Sequence, residues 1–136
     1  CMDQVLTLTQ RGCFWVGRGL LGLYFIIPGI SKITGFAATG EAMVAQGVPL
    51  VPVLLVVTIA IQIGCGASLL VGFKTQFMAF VLAGLTLIIS LYMHDFWNVE
   101  DAGARAHETQ NFVKNLAIMA GLMYAAGVSS PAKTSR

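Results

Sequence analysis

The chain has 136 residues with a formal net charge of +2, and 57% of its residues are hydrophobic whereas only 10% are charged. Soluble domains carry about 25% charged residues, so this composition, with a mean hydropathy of +0.80, is typical of an integral membrane protein. It leaves no room for a soluble catalytic domain, and so small a net charge does not indicate a nucleic-acid partner. We therefore predict a single membrane domain over residues 1–136 whose main partner is the lipid bilayer.

Four apolar stretches follow one another along the chain, over residues 14–33, 50–72, 77–93 and 112–128. A membrane-spanning helix needs about 17–25 residues at a rise of 1.5 Å per residue, and each stretch is about that long. The second and third stretches contain no charged residue. We therefore predict an all-α fold, a bundle of four transmembrane helices.

The distribution of cations predicts the orientation, because Lys and Arg are enriched in cytoplasmic loops. The side shared by both termini carries Arg11, Lys74, Lys133 and Arg136 beside the spans. The other side carries Lys32, Arg105 and nearly all the acidic residues. We predict a multi-pass protein of the bacterial inner membrane with both termini in the cytoplasm. Aromatic residues should mark the two headgroup layers, with Phe14, Trp15, Phe73 and Phe77 on the inner side.

The chain begins with Cys1 before Met2, and two explanations are open. Cys1 is either the lipidated first residue of a processed lipoprotein or a remnant of cloning before a native Met2. The orientation favours the remnant, because a lipidated Cys1 would lie on the outer face. We expect no cleaved signal peptide and an uncleaved first span.

Pro28 lies inside the first stretch, and the residues before it are too few to cross a bilayer alone. We therefore expect the first helix to continue, with a kink, to about Lys32. In the following loop, Thr39 can cap a helix, Glu41 suits its first turn and Gly47 can terminate it. These residues predict a short helix on the outer surface.

Small residues recur at helical spacing, and in lipid such residues let helix backbones approach closely. The sets are Ala60, Gly64, Ser68 and Gly72; Ala117, Gly121 and Ala125; Ala79 and Ala83; and Gly22 and Gly29. Each set could pack within the subunit or between subunits, so a homo-oligomer is one alternative.

Among the polar residues inside the predicted spans, the candidates for an intramembrane role are Arg18, Tyr24 and Gln62. Arg18 and Lys32 share one face of the first helix with Gly22 and Gly29, so this face should pack against protein. Arg18 either extends to the inner headgroups or acts within the bundle. Gln62 should point into the bundle, because lipid offers its amide no partner. It either bonds a neighbouring helix or contacts a ligand.

The outer helix ends gather a second polar group at one predicted depth, consisting of Lys32, His94, Asp95, Trp97, Lys114 and Asn115. His94 can exchange a proton near neutral pH, and Asp95 could pair with Lys32 or Lys114, because an isolated charge at this depth is costly. This group is either a polar site able to bind a quinone or a cluster that only anchors the helix ends. Its residues do not identify a catalytic group.

Metal and nucleotide motifs are missing from the sequence. Cys1, Cys13 and Cys65 form no CxxC pair, and His94 and His107 lack metal-binding spacing with other ligands. The glycines do not form a phosphate-binding loop. We therefore expect no metal and no covalently bound cofactor, and a quinone is the cofactor that the polar site could take.

Several segments in this order and spacing resemble the DoxX family. They are GRGLLGLYF at 17–25, PGISKITGF at 28–36, GVP at 47–49, GCG at 64–66, GFKT at 72–75, HDFW at 94–97 and FVKNLA at 112–117. The family often has an acidic residue where this chain has Gln62, which could hydrogen-bond Arg18 but could not neutralise it. The family is named after a subunit of a thiosulfate:quinone oxidoreductase.

The resemblance implies an accessory or quinone-docking subunit of a membrane oxidoreductase system, with a redox partner protein. No bound redox centre is evident, which favours an accessory subunit over a self-sufficient enzyme. Two alternatives remain open. One is a non-enzymatic scaffold or assembly factor, and the other is a path for a small solute or protons along Arg18, Gln62 and His94.

Overall fold

The computed structural model describes residues 1–128, and within this range the fold is entirely helical. The helices are α1 (Met2–Thr34), α2 (Phe36–Ala45), α3 (Val51–Val71), α4 (Thr75–Met93) and α5 (Ala102–Gly127), with a short 3₁₀ turn at Phe96–Asn98. The all-α prediction is confirmed. Lys133 and Arg136, on which the predicted orientation partly rests, lie outside the described residues.

Within residues 1–128, three helices are long and apolar enough to cross a membrane: α1, α3, and α4 extended through the 3₁₀ turn. They coincide with the first three predicted stretches, although α1 already begins at Met2. Helix α5 begins at Ala102, so its first turns are polar. Large apolar side chains such as Ile27, Val56 and Ile88 are more than half exposed. Such surfaces suit contact with lipid, which is as apolar as these side chains.

Proline and glycine set several helix boundaries. Helix α1 continues through Pro28 to Thr34, which confirms that the proline does not end it. Pro52 occupies the first turn of α3, where its missing N–H would have no partner anyway. Gly72 ends α3 in the left-handed conformation, with φ of 81°. Asp101 caps α5 by accepting a hydrogen bond from the Ala104 N–H at 2.8 Å, a cap that was not predicted.

The short helix after α1 begins nearer the N-terminus than predicted. Helix α2 begins at Phe36, directly after Gly35, so Thr39 lies inside it and does not cap it. The prediction of Thr39 as the cap is wrong, because the chain turns at Gly35 and resumes a helix without a linker. Gly47, with φ of 76°, follows the end of α2 as predicted. Helix α2 packs against α3.

The long helices pack in two pairs. Helix α1 packs chiefly against α3, and α4 chiefly against α5, while α3 and α4 join the pairs. The buried apolar core consists of Phe25, Leu69, Ala79, Leu82, Ala83 and Leu122. On α4 this core lies in the first half of the helix, so the second half is left to line a polar region.

The α1–α3 crossing depends on two glycines. A Cβ placed on Gly22 would lie 2.7 Å from the Gly66 carbonyl oxygen, and one on Gly66 would lie 2.9 Å from the Gly22 carbonyl oxygen. Each distance is too short for a real Cβ, so only glycine permits this approach. Ala79 and Ala83 are buried within the subunit as well.

The predicted stripe through Gly64 does not form this crossing. No atom lies within 4 Å of a Cβ placed on Gly64 or on Gly121, so both positions face away from the described subunit. The inward face of α3 instead carries Gln62, Gly66 and Leu69, all of which are buried.

Candidate functional site

A cavity of about 140 Å³ lies among α1, α3, α4 and α5, at the end of the molecule where α4 ends. Its polar lining consists of Tyr24, Lys32, Gln62, Thr86, His94, Lys114 and Asn115, and its apolar lining of Phe25, Pro28 and Ile89. The structure thus brings together six of the predicted site residues from four helices. We call this space the polar cavity.

A larger groove of about 400 Å³ runs between α2 and α3. Its lining is apolar apart from Glu41, so it lacks the convergent polar groups that fix the orientation of a ligand. We therefore place the candidate site at the smaller polar cavity.

Helix α1 presents one face to the polar cavity. Tyr24, Pro28 and Lys32 are spaced four residues apart, so they follow one another along this face. Gly29 lies beside them and brings α3 close: a Cβ on Gly29 would lie 3.3 Å from the Gln62 Cβ. The prediction that the glycine-containing face of α1 packs against protein is confirmed, because Gly22, Phe25 and Gly29 are all buried.

Gln62 points into the bundle as predicted, with only 4% of its surface exposed. Its carbonyl oxygen Oε1 is enclosed and has no hydrogen-bond partner among residues 1–128. An unpaired buried polar atom costs about 1–3 kcal/mol, so a ligand or water that engages this amide would be stabilised. The hydrogen bond that Gln62 could make with Arg18 does not form, because Arg18 packs against Gly72 at the C-terminal end of α3.

Tyr24 and Asn115 meet across the polar cavity. The Tyr24 hydroxyl donates a hydrogen bond to the Asn115 Oδ1 at 3.4 Å, which is long for an O–H donor. Asn115 is 6% exposed. A long bond of this kind is easily exchanged for one to a ligand.

His94 is held by a partner that was not predicted. Its Nδ1 lies 2.7 Å from the Glu108 Oε2, which links the end of α4 to the second turn of α5. This contact orients the imidazole at the cavity wall. Glu108 belongs to the acidic residues of the predicted outer side, but the sequence offers no signal for this particular pair.

Among residues 1–128, the two lysines of the polar cavity have no carboxylate partner. In the described part of the chain, the one contact within ion-pair distance joins His94 and Glu108, so the predicted pairing of Asp95 with Lys32 or Lys114 does not form. Asp95 instead accepts a hydrogen bond from Asn98 Nδ2 at 3.1 Å, because the chain turns into the 3₁₀ segment directly after His94.

Asp95 and Trp97 do not line the polar cavity. Trp97 is 53% exposed, and its ring stacks edge-on with Phe96 and Phe112, at centroid distances of 5.2 and 5.9 Å. This aromatic cluster joins the 3₁₀ turn to α5. Among residues 1–128, no group of three or more His, Cys, Asp and Glu side chains could hold a metal ion.

Comparison with known proteins gives one family match and two similar bacterial proteins. The DoxX family model matches residues 14–95. The inner membrane protein YqjF of Escherichia coli K12 is 35% identical over 108 residues, which cover 79% of this chain and 77% of YqjF. The inner membrane protein YphA of the same organism is 26% identical over 120 residues, covering 88% of this chain and 84% of YphA. No solved structure gives a significant match.

The class of protein is therefore an integral membrane protein of apolar helices. More specifically, the chain belongs to the DoxX family, as the sequence motifs predicted. The family match ends at Asp95, so it covers the α1, α3 and α4 walls of the polar cavity but not the α5 wall with Lys114 and Asn115.

Proposed function

We propose that this protein is an inner-membrane accessory subunit of an oxidoreductase system and that it binds a quinone ring in the polar cavity. One observation carries the proposal: six predicted polar residues from four helices converge on a cavity in which Gln62 Oε1 lacks a partner. The names of YqjF and YphA, both inner membrane proteins of a bacterium, support the location.

The donors of the polar cavity suit the carbonyl oxygens of a quinone. Lys32 and Lys114 present ammonium groups without a carboxylate within ion-pair distance among residues 1–128. Hydrogen bonds from charged donors are roughly twice as strong as neutral ones. Asn115 adds an amide, and His94 is oriented by Glu108 for hydrogen bonding or proton exchange. These residues would hold a quinone that serves as a two-electron, two-proton acceptor, with the electrons supplied by the redox partner protein of the system.

The size of the polar cavity limits the ligand to one ring. An apolar cavity of about 150 Å³ in another protein binds benzene, and this one measures about 140 Å³. Ligand pockets for larger molecules are typically about 300–1,000 Å³. A single quinone ring therefore matches the cavity, and an isoprenoid tail would have to extend between the helices into lipid.

We propose that α5 is the fourth span, that α2 lies at the outer surface and that both termini face the cytoplasm. Burial of Asn115 and Leu122 supports the fourth span, since both lie on the face of α5 that meets the other helices. The larger number of cations on the side of the termini supports the orientation, with Arg11, Arg18, Lys74, Lys133 and Arg136 there against Lys32, Arg105 and Lys114 on the other side. The polar cavity then opens toward the outer headgroups.

The alternatives are a path for a small solute or protons and a scaffold. Below the polar cavity, Phe25, Leu69, Leu82 and Leu122 are at most 3% exposed. This apolar layer favours a closed binding site over a continuous path. A scaffold or homo-oligomer is favoured by one observation, the outward-facing small residues at Gly64 and Gly121.

The test is binding of tetramethyl-1,4-benzoquinone to the full chain in lipid nanodiscs, by isothermal titration calorimetry. This quinone is a single ring whose four methyl groups block addition of the free cysteines. Lys32→Met keeps the apolar stem and removes the ammonium, so affinity should fall about ten-fold or more. His94→Ala should also weaken binding.

Asp95→Asn is the matched control, because Asp95 neighbours His94 but does not line the cavity. Its affinity should equal that of the wild type. Absence of binding by the wild type, or equal affinities for Lys32→Met and Asp95→Asn, would remove the quinone proposal and leave the scaffold.

A further inference from the structure

The end of the molecule where α3 ends and α4 begins carries cations among aromatic rings. The guanidinium carbon of Arg18 lies 4.3 Å from the centre of the Trp15 ring and 5.3 Å from that of Phe14. Arg18 also packs on Gly72, where a Cβ would collide with its Nη1. Lys74 follows two residues later, with its Nζ 5.5 Å from the centre of the Phe73 ring. We call Arg18, Lys74 and these rings the basic end.

The charge of the basic end is not balanced by the described chain. Among residues 1–128, no carboxylate lies within ion-pair distance of Arg18 or Lys74. Arg18 Nε and Nη2 are enclosed and have no hydrogen-bond partner in this range. Asp3 is the acidic residue of this side, but it lies fifteen residues before Arg18 on α1, about 22 Å away by helical rise. The C-terminus of α3 contributes about half a negative charge. Roughly half of the Arg18 charge and all of the Lys74 charge are therefore not compensated by residues 1–128.

The start of α4 adds further donors to the basic end. Its cap residue is Lys74, and no side chain caps the helix. The first N–H groups of a helix lack partners within the helix and carry its partial positive charge. A guanidinium, an ammonium and a helix start thus lie at the same end of the molecule, and residues 1–128 pair neither cation with an anion.

The surroundings indicate an amphiphilic anion. Phe14, Trp15, Phe73 and Phe77 are each between 56% and 62% exposed, and aromatic rings of this kind sit at headgroup depth. We propose that Arg18 and Lys74 bind the phosphate of an anionic phospholipid, with the exposed rings against its glycerol and upper acyl chains. Basic pockets between transmembrane helices bind anionic headgroups in this manner. The site is independent of the quinone proposal, since it lies at the opposite end.

The experiment measures lipid binding to the purified full chain in detergent by native mass spectrometry. The probes are phosphatidylglycerol, phosphatidylcholine with the same acyl chains, and inorganic phosphate as a competitor. Arg18→Gln and Lys74→Gln should each weaken phosphatidylglycerol binding about five-fold and leave phosphatidylcholine binding unchanged. Arg18→Lys keeps the charge but loses the planar stacking, so it should lose about two-fold.

Arg11→Gln is the matched control, because it removes the same charge from an exposed position on the same helix and should change affinity less than two-fold. Equal weakening by Arg11→Gln would mean diffuse attraction and would overturn the proposal. Equal binding of phosphatidylglycerol and phosphatidylcholine would also overturn the proposal. Full competition by millimolar inorganic phosphate would show that the site binds the free ion and not the phospholipid. If Arg18→Gln does not fold, the exposed Lys74→Gln decides by the same criteria.

Discussion

Helices α1 and α3 cross where Gly22 faces Gly66, and a single methyl group added at Gly22 should destabilise the protein. The new Cβ of Gly22→Ala would lie 2.7 Å from the Gly66 carbonyl oxygen and 3.1 Å from the Leu70 nitrogen. Ordinary contact begins at 3.4 Å, so the overlap with the oxygen is the difference, 0.7 Å. Both neighbours are helix backbone atoms that cannot rotate away, so the two helices must separate.

The expected cost follows from two opposing effects. Overpacking a tight interior costs about 1–3 kcal/mol, and replacing Gly by Ala within a helix returns about 1 kcal/mol through helix propensity. We expect Gly22→Ala to lower the free energy of unfolding by up to about 2 kcal/mol, the overpacking cost less the gain in helix propensity. Separation of α1 from α3 would also loosen the contact of Gly29 with Gln62, so quinone binding should weaken as well.

The matched control is Gly64→Ala on α3, where a Cβ meets no atom within 4 Å. It should be neutral or slightly stabilising in the monomer. The assay is equilibrium unfolding in mixed micelles of a mild detergent and dodecyl sulfate, followed by circular dichroism at matched oligomeric state. Equal stability of the two variants would refute the crossing at Gly22. Greater damage by Gly64→Ala would indicate that the outward stripe packs against a second copy.

Three further outcomes are expected. After removal of the native cysteines, a cysteine at His107 should react with an impermeant maleimide in intact cells and one at Thr9 should not; the reverse pattern would invert the proposed orientation. Leu82→Ala should cost about 2–4 kcal/mol in the same unfolding assay, because Leu82 is fully buried, whereas Leu91→Ala at a 48% exposed site should cost less than about 1 kcal/mol. Tyr24→Phe removes a hydroxyl whose hydrogen bond to α5 is 3.4 Å long, so we expect a loss below about 1 kcal/mol, and a loss above about 2 kcal/mol would contradict this weak bond.

The composition of the candidate site was largely predictable, but its pairing was not. Lys32, His94, Lys114 and Asn115 were predicted from their common membrane depth, since helix ends follow directly from the apolar stretches. The depth of a residue in the membrane does not specify how its helix is rotated about its axis, or which side chain of a neighbouring helix lies nearest to it. The sequence therefore suggested Asp95 as the partner of a lysine, whereas the chain turns after His94 and brings Glu108 to the imidazole instead.

The same distinction applies to the small residues. Spacing identified helix faces that could pack closely, because period and residue size are local properties of a chain. Spacing could not decide whether Gly64 or Gly66 packs against α1, because these glycines lie two positions apart on opposite sides of α3.

Four features were predictable from the amino-acid sequence: the all-helical membrane class, the first three candidate spans, the DoxX family and the inward direction of Gln62. These follow from residue transfer energies, helix length and the rule that a polar group in lipid needs a partner. The tertiary structure decided which glycines meet, that six polar side chains share one cavity, and that Arg18 lies against the end of α3 rather than beside Gln62. Those outcomes depend on the rotation and crossing of helices from distant parts of the chain, and many residues set that geometry jointly.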